Sequence, residues 1–430
     1  MRPLPPPRSG SALIIVLWVM VVLSSIALAL AYHTRLDVKM AGYQVQRQQA
    51  RSLARAGLTR ALVILRDDLL KDNDLLDKTD DDLVPVDNED KGFKYDAYAE
   101  GWGNNPDLLT DVEYGDGAFT VQIEDLSDKL NLNAAWVTVE ILSRLLQQLG
   151  NSEEDSQKLA ALIVDWRDPD PNASDAGDHR RGDNSTEDAY WNPDQDPRDI
   201  EAGGPQFVLK NAFFDSMEEV LLLLDKLQLP HSILYGEDSN RNGKLDPNED
   251  DGDETPPGDN ADGELQRGMM DYCTVMGAGM VNLNTIKKEC LEAMLFPFLG
   301  DSAEHVAENI DEYRRGNDGD FGTDDDRFFR EINNNDNDDM DLLNITGVDP
   351  QVAANLKRMG NVSSPRFLIR STGMVRDVRY TITAVVGRSF LPEEQLGRDP
   401  LDQTKVVDLD ALSLREKEQV RFIFERYEDH

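Results

Sequence analysis

Cysteine is scarce in this chain of 430 residues: only Cys273 and Cys290 occur, and neither stands in a C-x-x-C or mixed Cys/His spacing. That leaves two readings of the pair, one disulfide in an oxidising compartment or two buried thiols. Histidine is equally thin. The five histidines (His33, His179, His231, His305 and His430) are scattered, and none falls at a zinc-ligand spacing. No phosphate-binding loop occurs, so the chain carries no nucleotide-driven energy source of its own. Positive charge is in deficit. Lysine plus arginine number 44 against 83 acids, a formal net charge of −39. Nucleic-acid phosphates demand basic patches, so nucleic acid is not an expected partner; a protein outside the cytosol that collects divalent cations is. Paired acids abound, but at this density pairing arises by chance. No catalytic residues are assigned, and the chain reads as a non-enzyme.

Charge is missing altogether from Ser11 to Ala31. About twenty apolar residues in a helix span about 30 Å, the thickness of a bilayer core. The leader before them carries Arg2 and Arg8 and no acid, which keeps the N-terminus cytoplasmic. The expected location is therefore the inner membrane, single-pass, with a large periplasmic domain. Three fates compete for the segment. A cleavable signal peptide would use Ala29-Leu30-Ala31, although the run is long for that. A plain signal anchor would remain uncut. A type IV prepilin would be cut between Gly10 and Ser11 and keep its helix. The continuation favours the third. From Gln44 to Asp68 there is no proline, and Ala50, Leu53, Ala54, Gly57, Leu58, Ala61 and Leu65 recur at helical spacing. Arginines and glutamines fill the other face, so one helix runs half in lipid and half along a soluble domain.

Beyond a polar link (Lys71–Asp90), the strand-like segments lie at the two ends of the remaining chain. Gly117–Ile123 alternates with period two, and Arg366–Gly373 and Arg379–Val386 form a hairpin pattern. The acids cluster between and around them, in 80–90, 165–199, 237–264 and 318–341. The expected class is α+β: a long N-terminal transmembrane, pilin-like helix, a small antiparallel sheet, and a large, mostly α-helical insert of helix-hairpin-helix or SAM-like units. The divisions are leader 1–10, transmembrane helix 11–31, continuing helix 32–68, first part of the α+β domain 69–125, a first helical unit with a calcium loop 126–280, a second helical unit 281–365, the closing hairpin 366–390 and a polar tail 391–430. Two echoes mark the units. Lys129–Ala134 (K-L-N-L-N-A) and Val281–Thr285 (V-N-L-N-T) each precede a helical run, with an Asn placed to cap it. Ile345–Leu356 has the look of a helix-hairpin-helix turn; acids at Asp336–Asp341 make it a packing motif rather than a phosphate binder.

The sharpest chemical motif is Asp238–Glu249, D-S-N-R-N-G-K-L-D-P-N-E. It matches the EF-hand loop, with Asp238, Asn240 and Asn242 as oxygen donors and Gly243 at the sharp turn. Lys244 offers its carbonyl, Asp246 acts directly or through water, and Glu249 closes the site bidentately. Pro247 and the acids after Asp250 do not suit an exiting helix, so an isolated structural Ca²⁺ loop is expected.

Taken together, these pieces resemble the general secretion pathway protein K family, the large minor pseudopilins of bacterial type II secretion. The resemblance rests on the Gly10/Ser11 junction and its helix, Ala50–Leu62, Asp125–Ala134, Ala161–Asp168, Lys210–Leu223, Val281–Thr285 and the terminal hairpin, in the family's order over most of residues 10–390. It implies a structural subunit at the tip of the pseudopilus that initiates or caps assembly in protein secretion. Implied partners are other minor pseudopilins and the pseudopilus, the prepilin peptidase, which cuts and methylates, the inner-membrane assembly platform, and secreted substrate proteins. Major pilins carry a glutamate at the fifth mature position to neutralise a neighbour's N-terminal amine; here Ile15 stands there, in keeping with a tip position. The resemblance also implies calcium in the helical insert, with Asp165, Asp168 and Asp170, or Asp318, Asp320, Asp324 and Asp326, as contributors. Two other functions stay open: a type IV pilus-like minor pilin for adhesion or DNA uptake, and a membrane-anchored periplasmic hydrolase.

Overall fold

The computed structural model describes residues 11–71, 95–103, 109–174, 186–192, 207–238, 245–252, 261–277, 279–323, 325–329, 332, 342–390, 398–399, 402–406 and 420–429. In chain order the elements are α1 (Ser11–Lys71), β1 (Val112–Tyr114), β2 (Gly117–Asp125), β3 (Leu130–Asn131), α2 (Val139–Gln148), α3 (Glu153–Arg167), α4 (Glu187–Trp191), α5 (Val220–Leu227), α6 (Ser232–Tyr235) and α7 (Met269–Tyr272). They continue with β4 (Cys273–Thr274), β5 (Val281–Asn282), α8 (Lys288–Leu299), α9 (Ala303–Arg314), α10 (Pro350–Met359), β6 (Gly360–Asn361), β7 (Arg366–Val375), β8 (Val378–Phe390), β9 (Arg398–Asp399), β10 (Asp402–Val406) and β11 (Val420–Asp429).

Helix α1 is unbroken for 61 residues, about 90 Å at 1.5 Å per residue. Its large side chains from Leu13 to Leu30 stand exposed, and it is long and apolar enough to cross a membrane. Its second half docks on a sheet of order β1-β2-β7-β8-β11, antiparallel throughout. The helical stripe anticipated from spacing is the docking face: Ala50, Leu53, Ala54, Leu58, Ala61 and Leu65 are all buried. They pack with Phe119, Val121, Phe367, Ile369, Ile382, Ala384 and Val386, the alternate residues of three strands. The approach is close enough to require glycine. A Cβ on Gly373 would strike the backbone of Ala50 and Ala54, and one on Gly57 would strike Phe119 and Val121.

The segment expected to be a polar tail contributes structure. Val420–Asp429 pairs antiparallel with β8 and becomes the fifth strand of the sheet. Its V-R-F-I-F run, rich in β-branched and aromatic residues, suits a strand better than a solvated tail. The polar link lies mostly outside the described residues.

Between β2 and β7 the chain builds a second, separate core from two units of one plan. Each is closed by a two-residue parallel ladder, β3 with β4 and β5 with β6. In each, the first Asn of the N-x-N motif accepts from the backbone of the second, Asn131 from Asn133 and Asn282 from Asn284. The second Asn then binds both backbone groups of a distant phenylalanine. Asn133 donates to the Phe214 carbonyl at 3.0 Å and accepts from its N–H at 2.8 Å; Asn284 does the same with Phe329 at 3.0 and 2.7 Å. An arginine ending a helix completes each unit. Arg167 donates to the carbonyls of Leu132 and Val137, Arg314 to those of Leu283 and Ile286. The asparagines are therefore not the helix caps that the sequence led one to expect. Thr138 caps α2 through its hydroxyl, and α8 has no side-chain cap. Satisfying two buried backbone groups outweighs one cap bond at a solvated helix end. The Ile345–Leu356 turn does pack as expected: Gly347 lies against Val306 of α9, and Asp349 caps α10. Cys273 and Cys290 are free and buried, and burial pushes both thiols up, Cys273 to about 12.

A buried polar knot joins this insert to α1 and the five-stranded sheet. Arg388 of β8 donates to Asp68 (2.7 Å) and the Leu65 carbonyl (2.9 Å) of α1 and to Asp96. Beside it, Asp125 accepts from Ser127 N–H at 2.8 Å, from the Thr285 and Ser364 hydroxyls, and from Asn282 at 3.4 Å. Arg388→Met would leave Asp68 and Asp96 buried without their cation. The expected loss is about 3–5 kcal/mol of unfolding free energy, read by denaturant titration, with partial recovery when Asp96→Asn is added.

Candidate metal centre

The region following α3 gathers acids, two of which keep a buried oxygen without a hydrogen-bond partner. Asp168 is the C-cap of α3, and its N–H bonds the Val164 carbonyl. The chain returns at an Asn172–Thr186 bridge and enters α4, whose first residue, Glu187, donates its N–H to the Pro171 carbonyl. Carboxylate oxygens of Asp168, Asp170 and Glu187 thereby come within 4.8 Å of one another. The neighbouring guanidinium of Arg167 points away, into the carbonyls of its own unit.

Glu187 is only 2% exposed, and its Oε1 and the Oδ1 of Asp168 are buried without hydrogen-bond partners. Burial, then the charges of Asp165 and Asp168, pushes Glu187 up to about 8. Burial and then Asp170 and Asp165 raise Asp168 as well. An all-oxygen set of carboxylates with orphaned lone pairs fits a hard cation of the Ca²⁺ class, which would supply the missing charge. Asp165 has a different task. Both its oxygens are engaged, with Ser174 N–H at 2.9 Å and Trp191 Nε1 at 2.6 Å, so it holds the two halves of the loop in place. The resemblance implies Asp165, Asp168 and Asp170 but not Glu187, which joins them only through the Asn172–Thr186 closure.

Of the EF-hand-like loop, Asp238, Asp246 and Glu249 are described, while Asn240, Asn242 and Lys244 lie outside the described residues. Glu249 is 1% exposed. Its N–H bonds the Asp246 carbonyl at 2.8 Å, and its Oε2 accepts from Asp246 N–H at 3.2 Å, which forms the closing turn of the loop. The ends of this excursion meet at a neck. Gly236 bridges Arg267, and Glu237 and Gln266 exchange two hydrogen bonds at 2.9 Å. Gly236 has φ +69°, and a Cβ on it or on Gly268 would strike the opposite strand of the neck.

The third acidic loop is built differently. Asp325 accepts from the N–H groups of Asn317 and Asp318, Asp318 from Asp320 N–H, and Asp326 from Gly322 N–H. These carboxylates hold their own backbone, and the bonds to Asn317 and Thr323 pull Asp325 below the usual carboxylate range. Asp324 is outside the described residues. In a fourth group, Asp68, Asp96 and Glu100, the first two pair with Arg388, and Glu100 accepts from Ala97 N–H and Trp102 Nε1. At the processing junction Ser11 is the first residue of α1, and Gly10 lies outside the described residues.

No protein-family model matches the chain, and no curated protein matches it. Among solved structures, it is similar to a chain of the GspK-GspI-GspJ complex from the enterotoxigenic Escherichia coli type 2 secretion system. The TM-score is 0.47 at 14% identity, over 91% of this chain and 99% of that chain.

The charge imbalance at Glu187 makes a directional prediction. In chelator, Glu187→Gln should be at least as stable as the parent, because it removes like-charge repulsion. With added Ca²⁺ the parent should gain about 2.7 kcal/mol at a hundredfold excess over its Kd, and the variant much less, both followed by thermal denaturation.

Proposed function

We propose that the chain is a structural subunit of a type II secretion pseudopilus, held in the inner membrane by α1 and working at the filament tip to initiate or cap assembly. One observation carries the reading. An uninterrupted 61-residue helix exposes a bilayer-length apolar half and lays its other half on a five-stranded antiparallel sheet. A cleaved secreted protein has no use for that continuity; a filament built from bundled helices does. Ile15, in place of a charge-neutralising acid, supports the tip position, and the bulk of the two-unit insert would hinder a subunit stacking above it. In this reading the prepilin peptidase cuts between Gly10 and Ser11 and methylates the new terminus. Other minor pseudopilins pack against α1, and the assembly platform extracts the finished tip.

Calcium in this reading is a brace. The loop from Asp238 to Glu249 would hold one ion through Asp238, Asn240, Asn242, the Lys244 carbonyl, Asp246 and Glu249. A second would sit between Asp168, Asp170 and Glu187. Neither is given a chemical role, since the function needs a rigid head and no bond is made or broken.

N-terminal sequencing of the membrane-extracted protein tests the processing route. A methylated Ser11 start is expected, and a start at Tyr32 would overturn the pilin-like anchor. Calorimetric titration of the full chain in detergent tests the loop: Asp238→Ala with Glu249→Ala should remove one class of Ca²⁺ heats and leave the Glu187-dependent class intact.

A further inference from the structure

The crossing from β2 to β3 holds two acids three residues apart, in very different surroundings. Asp125 is met by four donors. Asp128 is 6% exposed, and its Oδ1 is buried with no hydrogen-bond partner. Its Oδ2 has only long contacts, the Tyr98 hydroxyl at 3.4 Å and the Lys287 ammonium at 4.0 Å. Lys287 is already committed, donating to the Asp271 carbonyl and lying over the Tyr272 ring.

Three pieces of the molecule meet at this carboxyl. The crossing itself comes from the sheet, Tyr98 from the segment that packs Trp102 on Phe367, and Lys287 from the start of α8. Backbone bonds stitch them together: Asn282 N–H to the Ser127 carbonyl at 2.8 Å, Lys287 N–H to the Asp128 carbonyl at 3.3 Å, and Asp96 N–H to the Val362 carbonyl at 2.9 Å. An ionised Asp128 buried here faces two ammoniums, Lys129 and Lys287, neither within hydrogen-bond reach of its orphaned Oδ1, and their attraction does not make up for the lost hydration.

We propose that Asp128 is a proton-operated latch between the five-stranded sheet and the helical insert, closed when the carboxyl is neutral and loosened when it ionises. The charged and titratable groups facing it are Lys129, Glu124 and Asp125 from the crossing and β2, Lys287 and Cys290 from α8, Tyr98, and Arg314 of α9 beyond Tyr98. Burial outweighs both lysines and holds the acid near 7. The closed state therefore keeps its proton across the window from the ordinary aspartate range, about 4, up to about 7. Its advantage over the open state is greatest at the acidic end of that window. It declines as pH rises and is constant above about 7. On the non-cytoplasmic side of a membrane, this ties the stiffness of the joint to the pH outside the cell.

The test is amide hydrogen exchange on the full chain in detergent, at fixed Ca²⁺, from pH 5 to 8 and corrected for intrinsic rates. At the amides of Asn282, Lys287 and Asp96 the opening constant should rise up to about tenfold per pH unit below 7 and then level off. Amides in β7 should not follow it. Asp128→Asn should give a flat profile with protection at pH 8 like that of the parent at pH 5. Lys287→Met, which removes a cation that lowers the acid, should move the plateau to higher pH. A flat profile in the parent, an unchanged slope in Asp128→Asn, or a plateau that Lys287→Met leaves in place would each overturn the latch.

Discussion

A guanidinium removed from water dictates how the two halves of this molecule meet. Arg388 is 6% exposed, and a buried cation is tolerable only when acids and carbonyls surround it. Its partners come from α1 (Asp68 and the Leu65 carbonyl) and from the segment after the link (Asp96). Asp96 in turn receives Ser364 N–H, and Ser364 donates its hydroxyl to Asp125. Anchor helix, sheet and insert are thus tied through one chain of charge-assisted bonds that no single element could complete alone. Such a knot contributes little net stability over an apolar replacement, but it permits only one relative placement of the parts.

The insert shows the same economy twice and then diverges. Both units use an N-x-N turn, a phenylalanine backbone held by the second asparagine, and an arginine turned inward on carbonyls. The difference lies in the loops that leave the arginine helices. After Arg314 the acids satisfy N–H groups of their own loop. After Arg167 they face one another, with buried oxygens left unmatched. A shared scaffold therefore carries one self-sufficient loop and one that calls for outside charge.

Much of this was readable from spacing alone, because local periodicity reports burial directly. The stripe from Ala50 to Leu65, the strands at Gly117 and Arg366, and the echo of the two N-x-N turns follow from which residues must face a core. What spacing could not carry was long-range pairing. Glu187 reaches Asp168 only after a bridge closes the loop between them, and no local pattern marks that closure. The asparagines hide their role for the same reason: their partners lie 81 and 45 residues away. The strand Val420–Asp429 is a different case, since its short V-R-F-I-F run stands among charged residues that read as a polar tail.

The pairing of β2 with β7 has a temporal consequence. Ala118 through Asp125 find their partners in Met374 back to Phe367, on the far side of the entire insert. Contacts so distant in sequence form slowly, and each waits for the intervening chain to become compact. Joining β2 to β7 therefore requires the insert to bring its ends together, and α1 has its full docking surface only when that pairing is made. Until the insert is compact, β2 and β7 each leave a strand edge unpaired. The continuity of the sheet thus depends on the compactness of a segment that contributes none of its strands.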